Sequence, residues 1–344
     1  MHIRYSVLLQ SSVVVLVAAA AAQQPDIALV VFGDSFSSRG LTVLSEVEDT
    51  LQSDQEFPPP PYDEGRFSNG LLFPEYMASN LNLSYIDYGA PGATSGAAAG
   101  TFTVIQEGGN VTSLPSPNLA QQVNKYIIEA NGTVGADNSH CIFIGLDDYA
   151  NFLYGAQVQP SVVVAFIQQG VSNLYNAGAR TILLGNLPPL NVAPAFSVRA
   201  FNSTTDAAIK QAQLLKLIQQ HNAILGSTVT ALASTYGDAT IGVLDLYTPY
   251  ASMAQNQTDP GFAAPMDVPC YGGEEYAMPG TPGLDECSEP DEHLFWDWLH
   301  LSTQAHSTLA ISLLQGLSGV LTNSALLHAQ QQTSFLKSIF ATQG

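Results

Sequence analysis

The chain has 344 residues and a formal net charge of −20 at pH 7, with 29 acidic side chains against 9 lysines and arginines. Such an excess of carboxylates repels nucleic acid and anionic membranes, so we expect neither as a partner. Its 3 cysteines are too few for a scaffold held together by disulfides, and the fold must therefore depend on a hydrophobic core. We expect no metal and no other cofactor, because no His/Cys cluster has the spacing of a metal site.

The N-terminal segment has the features of a secretory signal peptide. MHIRY supplies a charged n-region, an apolar run follows, and the alanines at 18–22 provide an A-x-A cleavage site. We predict cleavage after Ala22, which leaves 23–344 as a single domain. No later apolar run is long enough to span a bilayer, so the mature protein is expected to be soluble and secreted. Five Asn-x-Ser/Thr sequons predict surface glycans: Asn82, Asn110, Asn131, Asn202 and Asn256.

Apolar strands alternate with helical patterns along the rest of the chain. The predicted strands, rich in Val, Ile, Leu and aromatic residues, are 27–32, 85–88, 141–145, 181–185 and 240–247. The predicted helices are 117–129, capped by Ser116-Pro117, then 160–176, 206–234 and 303–321. This alternation predicts a parallel sheet covered by helices on both faces. Functional residues are expected at the carboxyl ends of its strands.

The cysteines differ in their surroundings. Cys270 and Cys287 flank a Pro/Gly-rich loop and could bridge it, which would contribute about 3 kcal/mol through loop entropy. Cys141 begins an apolar strand and is most simply a buried free thiol. A catalytic cysteine is disfavoured there, because the start of a strand lacks the electropositive surroundings that stabilise a thiolate.

The first predicted strand ends in VVFGDSFSS, which can present the Ser35 hydroxyl at the carboxyl edge of the sheet. An equally simple interpretation is an ordinary turn in which Ser35 caps a helix. A nucleophilic serine also needs a base, and the base needs an orienting carboxylate. The stretch FWDWLHLS offers both, because Asp297 lies three residues before His300. One short turn could place that carboxylate beside the imidazole.

The third predicted strand ends differently, in CIFIGLDDYA, where an apolar run leads directly into Asp147 and Asp148. A solvated turn would explain the paired acids. The alternative is that this strand delivers a polar group to an active site.

Six motifs occur in order over nearly the whole predicted mature chain. They are Gly33-Asp34-Ser35-Phe36, GRFSNG at 65–70, Gly92-Ala93-Thr94, Gly145-x-Asp147-Asp148, GNLPPL at 185–190 and Phe295-Trp296-Asp297-x-x-His300. Together they resemble the GDSL, or SGNH, hydrolases. GRFSNG and FWDWLH look most like the secreted fungal acetylesterases of carbohydrate esterase family 16. The resemblance implies a flavodoxin-like, three-layer α/β/α fold with a central parallel sheet, and ester hydrolysis through an acyl-enzyme.

The resemblance also implies roles for individual residues. Ser35 would be the nucleophile, His300 the base and Asp297 its partner, while the backbone N–H groups of Ser35 and Gly92 would donate to the oxyanion. The third oxyanion donor of the family is an Asn side chain, and Asp147 occupies that position here. An ionised carboxylate cannot donate a hydrogen bond. Asp147 is therefore protonated, or the enzyme works with two backbone donors, or the site is inactive.

Two smaller departures from the family pattern involve Pro91, where a second glycine is usual, and Leu301, where a proline commonly follows the histidine. The first puts the geometry of the Gly89–Gly92 loop in doubt, and the second has little chemical consequence.

Other candidate residues have simpler explanations. His221 lies on the apolar face of the long predicted helix and is expected to be a satisfied core histidine. His306 follows His300 at a poor spacing for a metal site. The acidic residues of the C-terminal loop lack the ligand spacing of a calcium loop, and a solvated acidic surface is favoured for them: Asp285, Glu286, Glu289, Asp291 and Glu292.

The sequence therefore predicts a secreted, glycosylated serine esterase whose substrates are acetyl esters on plant cell-wall carbohydrates, the acetyl and sugar preferences being implied by the resemblance. Two alternatives remain open. One is a lipase or phospholipase that prefers longer acyl chains. The other is a catalytically impaired homologue that binds glycans, suggested by Asp147. The sequence does not determine the oligomeric state.

Overall fold

The computed structural model describes residues 27–39, 57–105, 111–150, 159–255, 262–273 and 281–320. Within these ranges the strands are β1 (Ala28–Gly33), β2 (Ser84–Asp87), β3 (Gly100–Ile105), β4 (Val111–Ser116), β5 (Ser139–Phe143), β6 (Thr181–Gly185) and β7 (Thr240–Leu244). Five of them form a parallel sheet in the order β2-β1-β5-β6-β7. The predicted α/β fold with a central parallel sheet is confirmed.

The described helices are α1 (Phe73–Leu81), α2 (Leu119–Glu129), α3 (Leu146–Ala150), α4 (Pro160–Asn176), α5 (Val198–Phe201), α6 (Thr204–Thr235), α7 (Tyr247–Gln255) and α8 (Thr303–Val320). Short 3₁₀ turns occur at Leu190–Val192, Pro194–Phe196 and Pro290–Glu292. Helix α4 packs between α2 and α6, and α1 packs against α8. No helix in the described ranges is both long and apolar enough to cross a membrane.

Helices cover both faces of the sheet. Every residue of β1, β5 and β6 is buried, although successive side chains of a strand point to opposite faces. Phe32 of β1 packs edge-on against Tyr126 of α2, whereas Phe143 of β5 packs against Phe73 of α1. Because Phe32 is paired in register with Ile142, Phe32 and Phe143 lie on opposite faces. The two helical layers therefore enclose the strands from which the site is built.

Several predicted boundaries were wrong. The strand predicted at 240–247 ends at Leu244, and α7 begins at Tyr247, because Asn186 Oδ1 at the end of β6 accepts the backbone N–H groups of Leu246 and Tyr247. Helix α2 is capped by the Asn118 side chain rather than by Ser116-Pro117, since Ser116 ends strand β4. Neither the antiparallel hairpin of β3 and β4 nor helix α1 was predicted.

The predicted modification sites fall in two groups. Asn82, Asn131 and Asn202 are exposed and have positive φ angles at or just beyond the C-termini of α1, α2 and α5. The predicted signal peptide and the sequons at 110 and 256 lie outside the described residues.

The structure joins Cys270 to Cys287 in a disulfide, while Cys141 in β5 is a buried free thiol. Burial raises the pKa of the Cys141 thiol to about 12, which leaves it uncharged and a poor nucleophile.

Candidate active site

The turn after β1 presents the candidate nucleophile. A side chain at Gly33 would collide with the Ser37 hydroxyl and the Phe143 carbonyl oxygen, so only glycine fits there. The turn closes through a hydrogen bond from the Ser37 N–H to the Asp34 carbonyl at 3.1 Å. Asp34 accepts the N–H of Phe36 at one carboxyl oxygen and the N–H of Leu146, at the start of α3, at the other. The buried aspartate therefore connects the nucleophile turn to the carboxyl end of β5.

Ser35, His300 and Asp297 meet in one chain of hydrogen bonds. Ser35 Oγ lies 2.8 Å from His300 Nε2, and His300 Nδ1 lies 2.9 Å from Asp297 Oδ2. The three residues are 5, 2 and 2 % exposed, respectively. The Ser35 side chain thus faces the imidazole, which disfavours the alternative that it serves as a helix cap. This is the geometry in which an imidazole can accept a serine proton while a carboxylate stabilises the resulting imidazolium.

A compact loop holds the histidine and the aspartate. The His300 carbonyl accepts the N–H of Trp296 at 2.8 Å, and Asp297 Oδ1 accepts the N–H groups of Leu299 and His300 at 2.8 and 2.7 Å. These bonds orient the carboxylate towards the imidazole of its own loop. The three-residue spacing therefore reflects a turn that closes on its own aspartate.

The GRFSNG motif braces this loop from outside. The Ser68 hydroxyl donates to the Leu301 carbonyl, and Asn69 Oδ1 accepts the Thr303 N–H at the start of α8. The Phe67 ring lies 4.7 Å from the His300 ring, centroid to centroid. Arg66 anchors the motif through two hydrogen bonds to the Glu75 carboxylate, at 2.8 and 2.9 Å. The motif therefore holds in place the loop that carries Asp297 and His300.

The candidate oxyanion loop is fixed by close packing. Gly92 has a φ of +68°, and a side chain there would collide with the Thr101 carbonyl oxygen of β3. The unpredicted β3–β4 hairpin therefore packs directly on this loop, whereas Pro91 is accommodated within it as a buried residue. Asp148 ties the loop to α3, because its carboxylate accepts the N–H of Ser95 at 2.7 Å and the Ser95 hydroxyl at 2.9 Å.

The paired acids at 147 and 148 are not a solvated turn. Asp148 is buried, and Asp147, which keeps some exposure as a residue, has a buried Oδ2 atom without a hydrogen-bond partner in the described ranges. Both lie in the first turn of α3, beyond the carboxyl end of β5. This placement agrees with the expectation that the strand carries polar groups to the site.

Three carboxyl groups share this buried region, and each has an elevated pKa. Burial raises the pKa of Asp34, and the charge of Asp148 adds to this rise. The hydrogen bonds from the Phe36 and Leu146 N–H groups oppose it. Burial raises the pKa of Asp148 to about 6, although the two bonds from Ser95 oppose the shift. Burial, together with the charges of Asp34 and Asp148, raises the pKa of Asp147 well above its usual range. The cluster favours a protonated Asp147.

The remaining candidates lie apart from this chemistry. His221 is buried, and its Nδ1 bonds to the Tyr149 hydroxyl, but Nε2 lacks a partner in the described structure, so it is only partly satisfied. His306 packs beside Phe36 and Phe73 as a buried ring. All five acidic residues of the C-terminal loop are exposed, which agrees with a solvated surface. The described residues contain no cluster of three or more His, Cys, Asp or Glu that could hold a metal.

Two buried residues near the site were not singled out from the sequence. Gln122 of α2 accepts the Gly33 N–H and donates to the Gly33 carbonyl, both at 2.9 Å, and so holds the end of β1. The Tyr62 hydroxyl donates to Asp297 Oδ2 at 2.9 Å. Neither residue has a spacing signal, because each contact joins parts of the chain far apart in sequence.

The family model of the GDSL-like lipases/acylhydrolases matches residues 29–313. The chain belongs to this family. It is accordingly a GDSL esterase/lipase, a carboxylic ester hydrolase. The match spans the turn with Ser35 and the loop with His300, the two segments that the fold brings together.

Curated relatives of this GDSL hydrolase include plant proteins. GDSL esterase/lipase At5g03820 of Arabidopsis thaliana is 26% identical over 326 residues, which cover 84% of this chain and 91% of the relative. GDSL esterase/lipase ENOD8 of Medicago truncatula is 24% identical over 311 residues, which cover 76% of this chain and 81% of the relative.

Similar solved structures include a catalytic mutant of the acetylxylan esterase Axe2 from Geobacillus stearothermophilus, with a TM-score of 0.40 and 14% identity, covering 85% of this chain and 95% of that chain. A lipase/acylhydrolase from Enterococcus faecalis has a TM-score of 0.39 and 14% identity, and the match covers 87% of this chain and 99% of that chain.

Proposed function

We propose that the protein is a secreted serine esterase that hydrolyses short-chain esters, above all acetyl esters, on plant cell-wall carbohydrates. The observation that carries the proposal is the hydrogen-bonded chain from Ser35 Oγ through His300 to Asp297. The preference for acetyl groups and sugars rests on the resemblance of GRFSNG and FWDWLH to fungal acetylesterases of carbohydrate esterase family 16. The substrate is an acylated carbohydrate or a related small ester.

In the proposed mechanism, Ser35 Oγ attacks the ester carbonyl while His300 Nε2 accepts its proton. Asp297 keeps Nδ1 protonated and stabilises the imidazolium. The imidazolium then protonates the departing alcohol, and an acyl-enzyme remains on Ser35. Water, deprotonated by His300, then attacks the acyl carbonyl. The bond to Ser35 Oγ breaks, His300 returns the proton to Ser35 Oγ, and the acid is released.

The oxyanion is bound in this proposal by the backbone N–H groups of Ser35 and Gly92 and by the carboxyl group of Asp147. The last can donate only when protonated. Its neighbours Asp34 and Asp148 and its buried Oδ2 atom favour that state. A carboxylic acid in place of an amide donor makes the activity of the site depend on pH.

The proposal includes the path of the protein out of the cell. Residues 1–22 act as a signal peptide, 23–344 form one hydrolase domain, and glycans are attached at the sequons. The disulfide between Cys270 and Cys287 supports passage through an oxidising compartment. The exposed positions of Asn82, Asn131 and Asn202 are compatible with glycan attachment.

Two alternatives have an observation in their favour. The names of the curated relatives combine esterase and lipase, which suggests a lipase with longer acyl preference. The carboxyl group of Asp147, at the position of a family amide, favours an impaired, glycan-binding homologue.

The purified protein should be assayed on 4-nitrophenyl acetate and octanoate from acid to neutral pH, with Ser35→Ala as the matched control. An esterase gives the higher rate on acetate, and Ser35→Ala lowers kcat by about 10⁴-fold or more with the fold retained. Higher rates on octanoate would favour the lipase. An inactive wild type that still binds oligosaccharides would favour the glycan-binding homologue, and an active Ser35→Ala would exclude Ser35 as the nucleophile.

A further inference from the structure

The Asp297 carboxylate accepts hydrogen bonds at both of its oxygens. Its Oδ1 atom accepts the N–H groups of Leu299 and His300, and His300 Nδ1 lies 2.9 to 3.0 Å from both carboxyl oxygens. The second oxygen, Oδ2, also accepts the Tyr62 hydroxyl at 2.9 Å. Tyr62 is thus a side-chain donor to this carboxylate from outside its own loop.

The Tyr62 ring is held rigidly enough to fix the direction of that bond. Tyr62 is 3 % exposed. Its ring packs edge-on against Phe67, Tyr271 and Trp296, with centroids 5.8, 5.4 and 6.1 Å away. Because a tyrosine has few rotatable bonds, these contacts leave the hydroxyl little freedom to move away from Asp297.

The Tyr62 bond opposes rotation of the Asp297 carboxylate. The backbone donors hold Oδ1 and the imidazole contacts both oxygens, whereas the Tyr62 hydroxyl is a second donor to Oδ2. Without the hydroxyl, Oδ2 depends on a ring that must itself change its charge during each turnover. The imidazole would then lose the fixed partner that sets its tautomer and its direction towards Ser35.

We propose that Tyr62 is a positioning residue of the active site, whose hydroxyl holds the Asp297 carboxylate in the orientation that keeps His300 aligned with Ser35. The inference rests on the proposed function, because it assigns Tyr62 a role in the same serine mechanism. Tyr62 touches no reacting atom and acts only through Asp297.

The test is Tyr62→Phe, which removes one oxygen and keeps the packed ring. With 4-nitrophenyl acetate we expect kcat to fall about 10- to 100-fold, as for loss of a hydrogen bond to a charged group, with little change in KM. Tyr250→Phe is the matched control, because that tyrosine is also buried and its hydroxyl has no partner among the described residues. The control should keep wild-type kcat.

A double-mutant cycle separates positioning from general packing. In an Asp297→Ala background the hydroxyl has no carboxylate to hold, so adding Tyr62→Phe should lower kcat further by less than about threefold. The same proportional loss in both backgrounds would mean that Tyr62 acts through the fold, and the proposal would be wrong. Unchanged kcat in Tyr62→Phe alone would also overturn it.

Ser35→Ala distinguishes failure of this proposal from failure of the proposed function. If Ser35→Ala is inactive and Tyr62→Phe is fully active, only the role of Tyr62 is refuted. If Ser35→Ala retains wild-type activity, the serine mechanism itself is wrong. If Tyr62→Phe does not fold at the assay temperature, the two variants can be compared at a lower temperature. The measurement is then the rate at which a fluorophosphonate modifies Ser35 in Tyr62→Phe and in Tyr250→Phe. A rate equal to that of the control would again refute the role.

Discussion

Replacement of Asp147 by asparagine tests the most unusual feature of the site. If Asp147 donates to the oxyanion as a neutral acid, its contribution disappears as the carboxyl group ionises. Asparagine supplies an amide donor that needs no proton. A single oxyanion donor contributes about 2.7 to 4 kcal/mol, which sets the gain in kcat at about 10²-fold and at most roughly 10³-fold.

The structure determines how that gain should depend on pH. Burial and the charges of Asp34 and Asp148 raise the pKa of Asp147, so the neutral acid persists to higher pH than in a free aspartate. Below that pKa the variant and the wild type should have similar kcat. Above it the neutral fraction falls about tenfold per pH unit, so the variant-to-wild-type ratio should rise until the two backbone donors alone support the wild type. Protonation of His300 at low pH affects both enzymes and cancels in the ratio.

The assay is kcat for 4-nitrophenyl acetate from acid to neutral pH, with Asp148→Asn as control. That variant also removes a carboxylate from the cluster, but it replaces the acceptor of two bonds from Ser95 and should lower activity. The protonated-acid hypothesis would be refuted if the wild type is active at neutral pH and the ratio of Asp147→Asn kcat to wild-type kcat stays flat with pH or falls below one.

Stability gives an independent check on the same carboxyl group. A raised native pKa means that the folded state binds the Asp147 proton more tightly than the unfolded state does, so this favourable contribution is lost as pH rises. As pH rises, the free energy of unfolding of Asp147→Asn should therefore increase relative to that of the wild type, as measured by urea denaturation.

Three further predictions concern other parts of the structure. His300→Ala should reduce kcat about as much as loss of the nucleophile, whereas Asp297→Asn should leave more residual activity; equal and negligible effects would mean that the motif is structural. The Cys141 thiol should react with a disulfide reagent only after unfolding, and non-reduced peptide mapping should show the other two cysteines linked; a bridge involving Cys141 would contradict the fold. His306→Phe removes two buried ring nitrogens that lack partners among the described residues and should raise the free energy of unfolding by about 1 to 3 kcal/mol. Because burial lowers the pKa of His306 to about 3, the gain should grow as pH falls from about 6.5 towards 3, and a gain independent of pH in thermal unfolding would contradict a buried neutral ring.

Local chemistry made much of the fold predictable. Strands β1, β5 and β6 are short apolar runs buried on both faces, which is the pattern of a parallel sheet. Boundaries failed where a distant side chain decided them. Tyr247 begins a helix because Asn186, about 60 residues earlier, accepts its N–H, and no pattern around Tyr247 contains that information.

The candidate site divides in the same way. The spacing of Asp297 and His300 suggested that one short turn could pair them, and the loop that joins them closes on its own aspartate. Ser35 lies 265 positions away from His300, and their 2.8 Å contact requires β1 and the C-terminal loop to reach the same edge of the sheet. The family motifs supplied that pairing in advance only as an expectation from resemblance.

The sequence by itself determined the five segments of the central parallel sheet, the acidic composition and the residue types available for acyl transfer, because these depend on neighbours along the chain. Only the tertiary structure decided that Tyr62 reaches Asp297, that Gln122 holds the end of β1, and that Asp148 and the Oδ2 atom of Asp147 are buried in the same region as Asp34. Their physical basis is burial: the pKa values of these carboxyl groups rise because the folded chain removes water from them, and the Tyr62 hydroxyl becomes a fixed donor because the fold places a distant partner within hydrogen-bond distance.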